Sequence, residues 1–120
     1  MKVVLAALLF ATSACAQMQK QQQCTALVKS NIEKTRTTEP NIFATIKTYM
    51  FEYSKNHDSC VMIMQYHVNE KGKPQQVQVI AINAVTMQPM EGYKNIFLIP
   101  ESDKEQIMKA TNFLFDRYSR

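Results

Sequence analysis

Glycine is almost absent from this chain: Gly72 and Gly92 are the only two among its 120 residues. They stand too far apart for the glycine-rich phosphate loops and dinucleotide fingerprints, which crowd several glycines into one turn. Histidine is as scarce. With His57 and His67 alone, a histidine-based zinc site would need carboxylates or cysteines recruited from elsewhere. No stretch concentrates charge of one sign. After Lys2, basic residues run from Lys20 to Arg120 with acids interleaved, unlike the clustered patch that phosphate binding needs, so nucleic acid is not the expected partner. Long apolar runs are missing too: Val3 to Ala11 would rise only ~14 Å as a helix, short of the ~20 residues that span a bilayer.

That short run has a different use. Lys2 precedes it and the small residues Thr12-Ser13-Ala14-Cys15-Ala16 follow it, which is the order of a secretory signal. Residues 1–16 are therefore expected to be removed. Ala14 and Ala16 suit a signal peptidase, giving a mature chain from Gln17. Ser13-Ala14-Cys15 also resembles the end of a bacterial lipobox, with Thr12 where leucine is usual, and then Cys15 would carry lipid. The expected location is secreted or periplasmic, or a membrane-anchored lipoprotein, with membrane contact only through Cys15.

Three cysteines are an odd count, but either processing route sets Cys15 apart and leaves Cys24 and Cys60 as a pair. An oxidising compartment favours their disulfide, which would tie the start of the first helix to the start of the first strand. Closing that loop should add about 4 kcal/mol by chain entropy. Without residues 1–16 the chain keeps 13 basic and 10 acidic side chains, a net charge of +3. One domain, residues 24–120, is the expectation for this length.

Residues 17–23 are glutamine-rich and lack an apolar period, so they read as a flexible polar leader. Cys24, Leu27, Val28 and Ile32 fall at helical spacing, fading at Thr35 to Thr38. Thr38-Glu39-Pro40 is a second helix start. Ile42, Phe43, Ile46, Tyr49, Met50 and Tyr53 then repeat at 3, 4 and 7 residue steps, predicting a surface helix over 41–55. Asn56 to Ser59 is a turn, Cys60 to Val68 a strand, Asn69 to Pro74 a turn with Gly72 free to take a positive φ, and Gln75 to Val85 a strand that completes an antiparallel hairpin. Thr86 to Tyr93 is a loop and Asn95 to Ile99 a third strand. Ser102 and Glu105 form a capping-box pattern before a last helix with Ile107, Ala110, Leu114 and Tyr118 on its core stripe. The expected fold is α+β: two N-terminal helices, a three-stranded antiparallel sheet with a central hairpin, and a C-terminal helix.

Few residues suggest chemistry. Cys60 with His57 or His67 is a weak nucleophile and base, because an exported cysteine is more often oxidised. Met62 and Met64 share a strand face, and with His67 they would be soft ligands for Cu(I). The competing reading makes both methionines core filling, so no metal or other cofactor is expected. Lys71 and Lys73 flank Gly72 on a turn that could touch an acidic partner.

The segment Val61 to Ile82, a strand, the turn Asn69-Glu70-Lys71-Gly72-Lys73 and the strand Val77-Gln78-Val79-Ile80, resembles the central hairpin of TonB C-terminal domains. That resemblance covers about half of the expected domain. It implies a helix after the hairpin, here Asp103 to Tyr118, and partner binding by addition of a receptor strand to the sheet edge. The chain departs from the family in the loop and extra strand from Thr86 to Ile99. A helix before an antiparallel sheet is also similar to cystatin-like folds, but their Gln-x-Val-x-Gly wedge has Val79 where this sequence, Gln75-Gln76-Val77-Gln78, would need glycine. The expectation is an exported, non-enzymatic protein-interaction module whose partner lies in the cell envelope or outside the cell. Alternatives are a Met-lined Cu(I) or apolar-ligand binder, and an inhibitor of an exported hydrolase.

Overall fold

The structure, a computed structural model, describes residues 2–91 and 95–118, with side chains from Cys15 onward. Gly92 and Tyr93, at the end of the expected loop, lie outside the described residues. The elements are α1 (Lys2–Thr38), α2 (Pro40–Phe43), β1 (Ile46–Ser54), β2 (Ser59–Val68), β3 (Gln76–Asn83), β4 (Gln88–Pro89), β5 (Ile96–Pro100) and α3 (Lys104–Tyr118). The class is α+β, with an antiparallel sheet and a C-terminal helix as expected.

Two expectations about the N-terminal half need correction. Residues 17–23, expected as a leader without order, belong to α1, and Gln21 Oε1 accepts the Tyr53 backbone N–H at 2.9 Å. The helix does end with the threonine run, at Thr38. The hydroxyls of Thr35, Thr37 and Thr38 donate back to the carbonyls of Asn31, Glu33 and Lys34, local bonds that slightly weaken a helix and suit its last turn. Proline sets the limit: Glu39, before Pro40, leaves helical geometry at φ −136° and ψ 63°, as steric conflict with the proline ring requires.

The second correction is larger. The predicted helix over 41–55 is a single short turn, α2, followed by the nine-residue strand β1. Its apolar residues fit a helical period, yet Ile46, Thr48, Tyr49, Phe51 and Tyr53 are the β-branched and aromatic types that suit a pleated surface. Pairing decides between the two readings. β1 runs antiparallel to β2, with Met50 opposite Ile63, Glu52 opposite Val61 and a register shift between Ile46 and Thr48.

The central hairpin agrees with the sequence: β2 and β3 pair antiparallel from Val61 and Asn83 to Val68 and Gln76, and Gly72 in the turn has φ +83°. β5 pairs with β3 over Gln76 to Ile80, and β4 pairs with β3 at Ile82 and Asn83. Among the described residues, five strands therefore replace the expected three. The α3 cap also differs. Asp103 Oδ1, rather than the Ser102 hydroxyl, accepts the Gln106 N–H at 3.2 Å, so the helix starts one residue later than the capping-box pattern suggested.

Strand alternation divides the core in two. On one face Val61, Ile63, Val77, Val79 and Ala81 pack against Ile107, Ala110, Leu114 and Tyr118 of α3. On the other, Cys60, Met62, Met64, Ile80 and Ile82 pack against Cys24 and Val28 of α1, with Leu27 and Ile32 beside them. The sheet is thus a middle layer between helices.

Candidate functional site

The sheet ends differently on its two sides. Beyond β3 lie two short pieces, β4 of two residues and β5 of five, each holding a proline, Pro89 or Pro100. Short strands and prolines are the usual ways of blunting an edge against further pairing. The opposite edge is β1, nine residues without proline, and Lys47, Thr48, Tyr49 and Met50 along it are exposed.

Hydrogen bonding fixes which β1 backbone groups face outward. Cys60 turns its carbonyl toward β3, accepting the Ala84 N–H at 2.8 Å. Tyr53, paired with Cys60 across β1 and β2, consequently points its own N–H off the sheet, where Gln21 receives it. Alternation by two then directs the N–H and C=O of Phe51 and Tyr49 off the edge as well. Gln21 closes the Tyr53 position. Tyr49 and Phe51 remain as the open part of the edge.

A groove of about 340 Å³ adjoins that stretch on the α3 side. Met50, Ile107 and Met108 supply its apolar surface, while Lys47, Gln65, Lys104 and Thr111 border it. Gln65 Nε2 donates to Thr111 Oγ1 at 2.9 Å, and that hydroxyl donates to the Ile107 carbonyl at 2.7 Å, so the floor is internally satisfied. Met50 is 39% and Met108 66% exposed. Among the described residues, neither Lys47 nor Lys104 forms an ion pair. Apolar surface and unpaired cations thus meet beside free backbone groups.

A second hollow, about 260 Å³, lies beside the disulfide and is lined by Leu27, Tyr53 and Val85 among others. Its charged groups and the Tyr53 hydroxyl already serve one another. Lys20 Nζ lies 2.8 Å from Asp58 Oδ1 and 3.1 Å from the Tyr53 hydroxyl. Hydrogen bonding to Asp58 first, and Tyr53 second, pushes the Lys20 pKa up to about 12. Hydrogen bonds from Lys20 first, and from the Tyr53 hydroxyl second, hold the Asp58 carboxyl below its ordinary value. The group at the end of α3 is likewise closed: the buried Tyr118 hydroxyl donates to Glu91 Oε2 at 3.1 Å and receives the Asn95 amide, and Arg117 reaches Glu91 at 3.0 Å.

The residues singled out in the sequence are scattered. Cys24 and Cys60 form a disulfide with Cα atoms 5.2 Å apart, so Cys60 offers no thiolate. Cys15 is a free, exposed thiol on α1. Met62 and Met64 are buried under α1, whereas His67 lies on the opposite face of β2, its Nδ1 3.5 Å from Glu101 Oε1. The structure does not bring these three together. Lys71, Gly72 and Lys73 occupy the β2–β3 turn, where Lys73 pairs with Glu70 at 2.9 Å. Sequence reasoning missed the open edge because it read β1 as helix; the alternation of Tyr49, Phe51 and Tyr53 was the available signal.

Comparisons with protein-family models, with curated proteins and with solved structures find no match for this chain. Among the described residues, no helix is long and apolar enough to cross a membrane.

Proposed function

We propose that the protein is an exported, non-enzymatic interaction module that accepts a partner strand along β1. One observation carries the reading: by alternation from Tyr53, Tyr49 and Phe51 direct backbone donors and acceptors off an edge without proline, where no side chain among the described residues bonds them as Gln21 bonds Tyr53. Strand addition uses such groups for affinity and neighbouring pockets for selectivity. The groove beside Met50 is such a pocket. Edge addition is also what the TonB-like hairpin implies.

Export is the second part of the reading. The signal-like residues 1–16 support it, and the Cys24–Cys60 disulfide is compatible with an oxidising compartment. Removal of those residues would leave Lys20 and Gln21, with their contacts to β1 and its turn, in the mature chain. Intact mass of the protein recovered from the cell envelope tests this part. It should show loss of residues 1–16, or acylation at Cys15, together with the two-dalton deficit of the disulfide. A full-length, fully reduced form in the cytoplasm would overturn it.

The edge itself is tested with a photo-crosslinker at Thr48 in intact envelopes. A discrete adduct that Tyr49→Pro abolishes is expected, because proline removes an outward N–H while remaining tolerable on an edge strand. Adducts indifferent to that substitution would refute strand addition at β1.

A further inference from the structure

The open stretch of β1 is complementary to itself. Resting on the reading above, we propose that the strand accepted at this edge is β1 of a second copy, laid antiparallel about a two-fold axis at Met50, giving one continuous sheet across the dimer. Closed two-fold pairing needs the same patch on both partners, and the register follows by elimination. Outward-facing residues must pair with outward-facing residues. Placing Tyr49 opposite Tyr49 would bring Lys47 into the ladder, at the register shift between Ile46 and Thr48. Placing Phe51 opposite Phe51 would require Tyr53, whose N–H Gln21 already holds. Tyr49 opposite Phe51 uses both open positions twice. It forms two hydrogen-bonded pairs and hence four backbone hydrogen bonds.

That register has consequences on both faces. On the α1 side Tyr49 and Phe51 of the two copies become aromatic cross-strand pairs, which are among the favourable ones in sheets. On the α3 side Met50 meets Met50, closing the exposed thioethers against each other. Glu52 of each copy falls opposite Thr48 of the other, next to Lys47 and over the groove that Lys104 borders. Both lysines stand near the start of their elements, and β1 and α3 begin at the same end of the sheet, where Ile46 pairs with Tyr66 and Pro100 with Gln76. Glu52 is in no ion pair among the described residues. Each copy therefore supplies the carboxylate that the other copy's cations lack, and a parallel arrangement would not.

Sedimentation velocity over a concentration series, on the protein with its disulfide intact, tests the proposal. A concentration-dependent dimer is expected. Glu52→Lys should weaken it about tenfold, since both symmetric pairs change from attraction to repulsion, and Lys47→Glu in the same chain should restore most of the loss. Tyr49→Pro should give a monomer. If circular dichroism shows that this variant does not fold, Met50→Lys takes its place, setting two ammonium groups against each other at the axis. A monomer at every concentration would overturn the self-pairing, and so would a dimer indifferent to Tyr49→Pro or Met50→Lys. Equal affinity for Glu52→Lys with and without Lys47→Glu would overturn the register. Failure here is separable from failure of the strand-addition reading: a monomer whose Thr48 crosslinker captures a different protein, with loss on Tyr49→Pro, refutes the second copy and leaves the edge in use.

Discussion

The two faces of the sheet are held by different means. Under α3 the contact is a conventional apolar seam, with Leu114 and Tyr118 wholly buried against Val77 and Val79. Under α1 the buried helix residues are few, Cys24 and Val28 foremost, and the deficit is made up by a covalent bond and by side-chain hydrogen bonds from Gln21 and Asn31. The amphipathic α3 docks chiefly by its apolar stripe, with hydrogen bonds at Thr111 and Tyr118 added to it. Around the polar glutamine tract of α1, the disulfide and the Gln21 and Asn31 bonds accompany a narrower apolar contact.

Removing the disulfide separates the two mechanisms most sharply. Cys24→Ala with Cys60→Ala should lower unfolding stability by about 4 kcal/mol, as loss of closure of a loop this long implies. Hydrogen exchange should rise in α1 and β1 before α3. Equal loss of protection on both faces would show that the faces unfold as one unit.

Leu114→Ala attacks the other face. Its side chain is fully buried, and a leucine truncation of this kind costs about 3 kcal/mol. Urea denaturation should show that cost with the disulfide intact. A loss below about 1 kcal/mol would mean that the α3 seam collapses around the gap. Asn31→Ala should cost less. Its amide donates to the Ala84 carbonyl at 2.7 Å, and leaving that buried acceptor unmet costs roughly 1 to 2 kcal/mol in the same experiment.

The smallest expected effect is acidic. Hydrogen bonding from the Tyr118 hydroxyl first, then from Arg117, holds the Glu91 carboxyl below its ordinary value of 4.5. A group whose folded pKa is depressed contributes stability above its unfolded value and loses it as pH falls through the folded one. The end of α3 should therefore loosen below pH 4.5, read as a change in the Tyr118 near-ultraviolet signal. Glu91→Gln should remove that step. The Glu91 carboxylate is open to solvent, so the step is screened and small beside the core substitutions.

Legibility in the sequence followed how local each determinant was. The β2–β3 hairpin was readable because Cys60 to Val68 is too rich in β-branched and aromatic residues for a helix and Gly72 sits where a positive φ is required. The α3 stripe was readable from its spacing, and the Cys24–Cys60 pairing from the count once Cys15 was set aside. β1 was not. Ile42, Phe43, Ile46, Tyr49, Met50 and Tyr53 satisfy a helical period, and only the partner strand shows that Phe51 and Tyr53 pack under α1 while Met50 turns toward α3. The candidate site went unseen with it, because an edge exists only relative to the strands beside it.

Sequence by itself determined the α+β class, the central hairpin, the C-terminal helix and the partner of each core cysteine, since these rest on residue type and spacing within short windows. Tertiary structure decided that residues 46–54 extend, that the glutamine tract joins a helix, and which backbone groups face outward at β1. Those outcomes depend on pairing energies between segments distant along the chain, which no local period encodes.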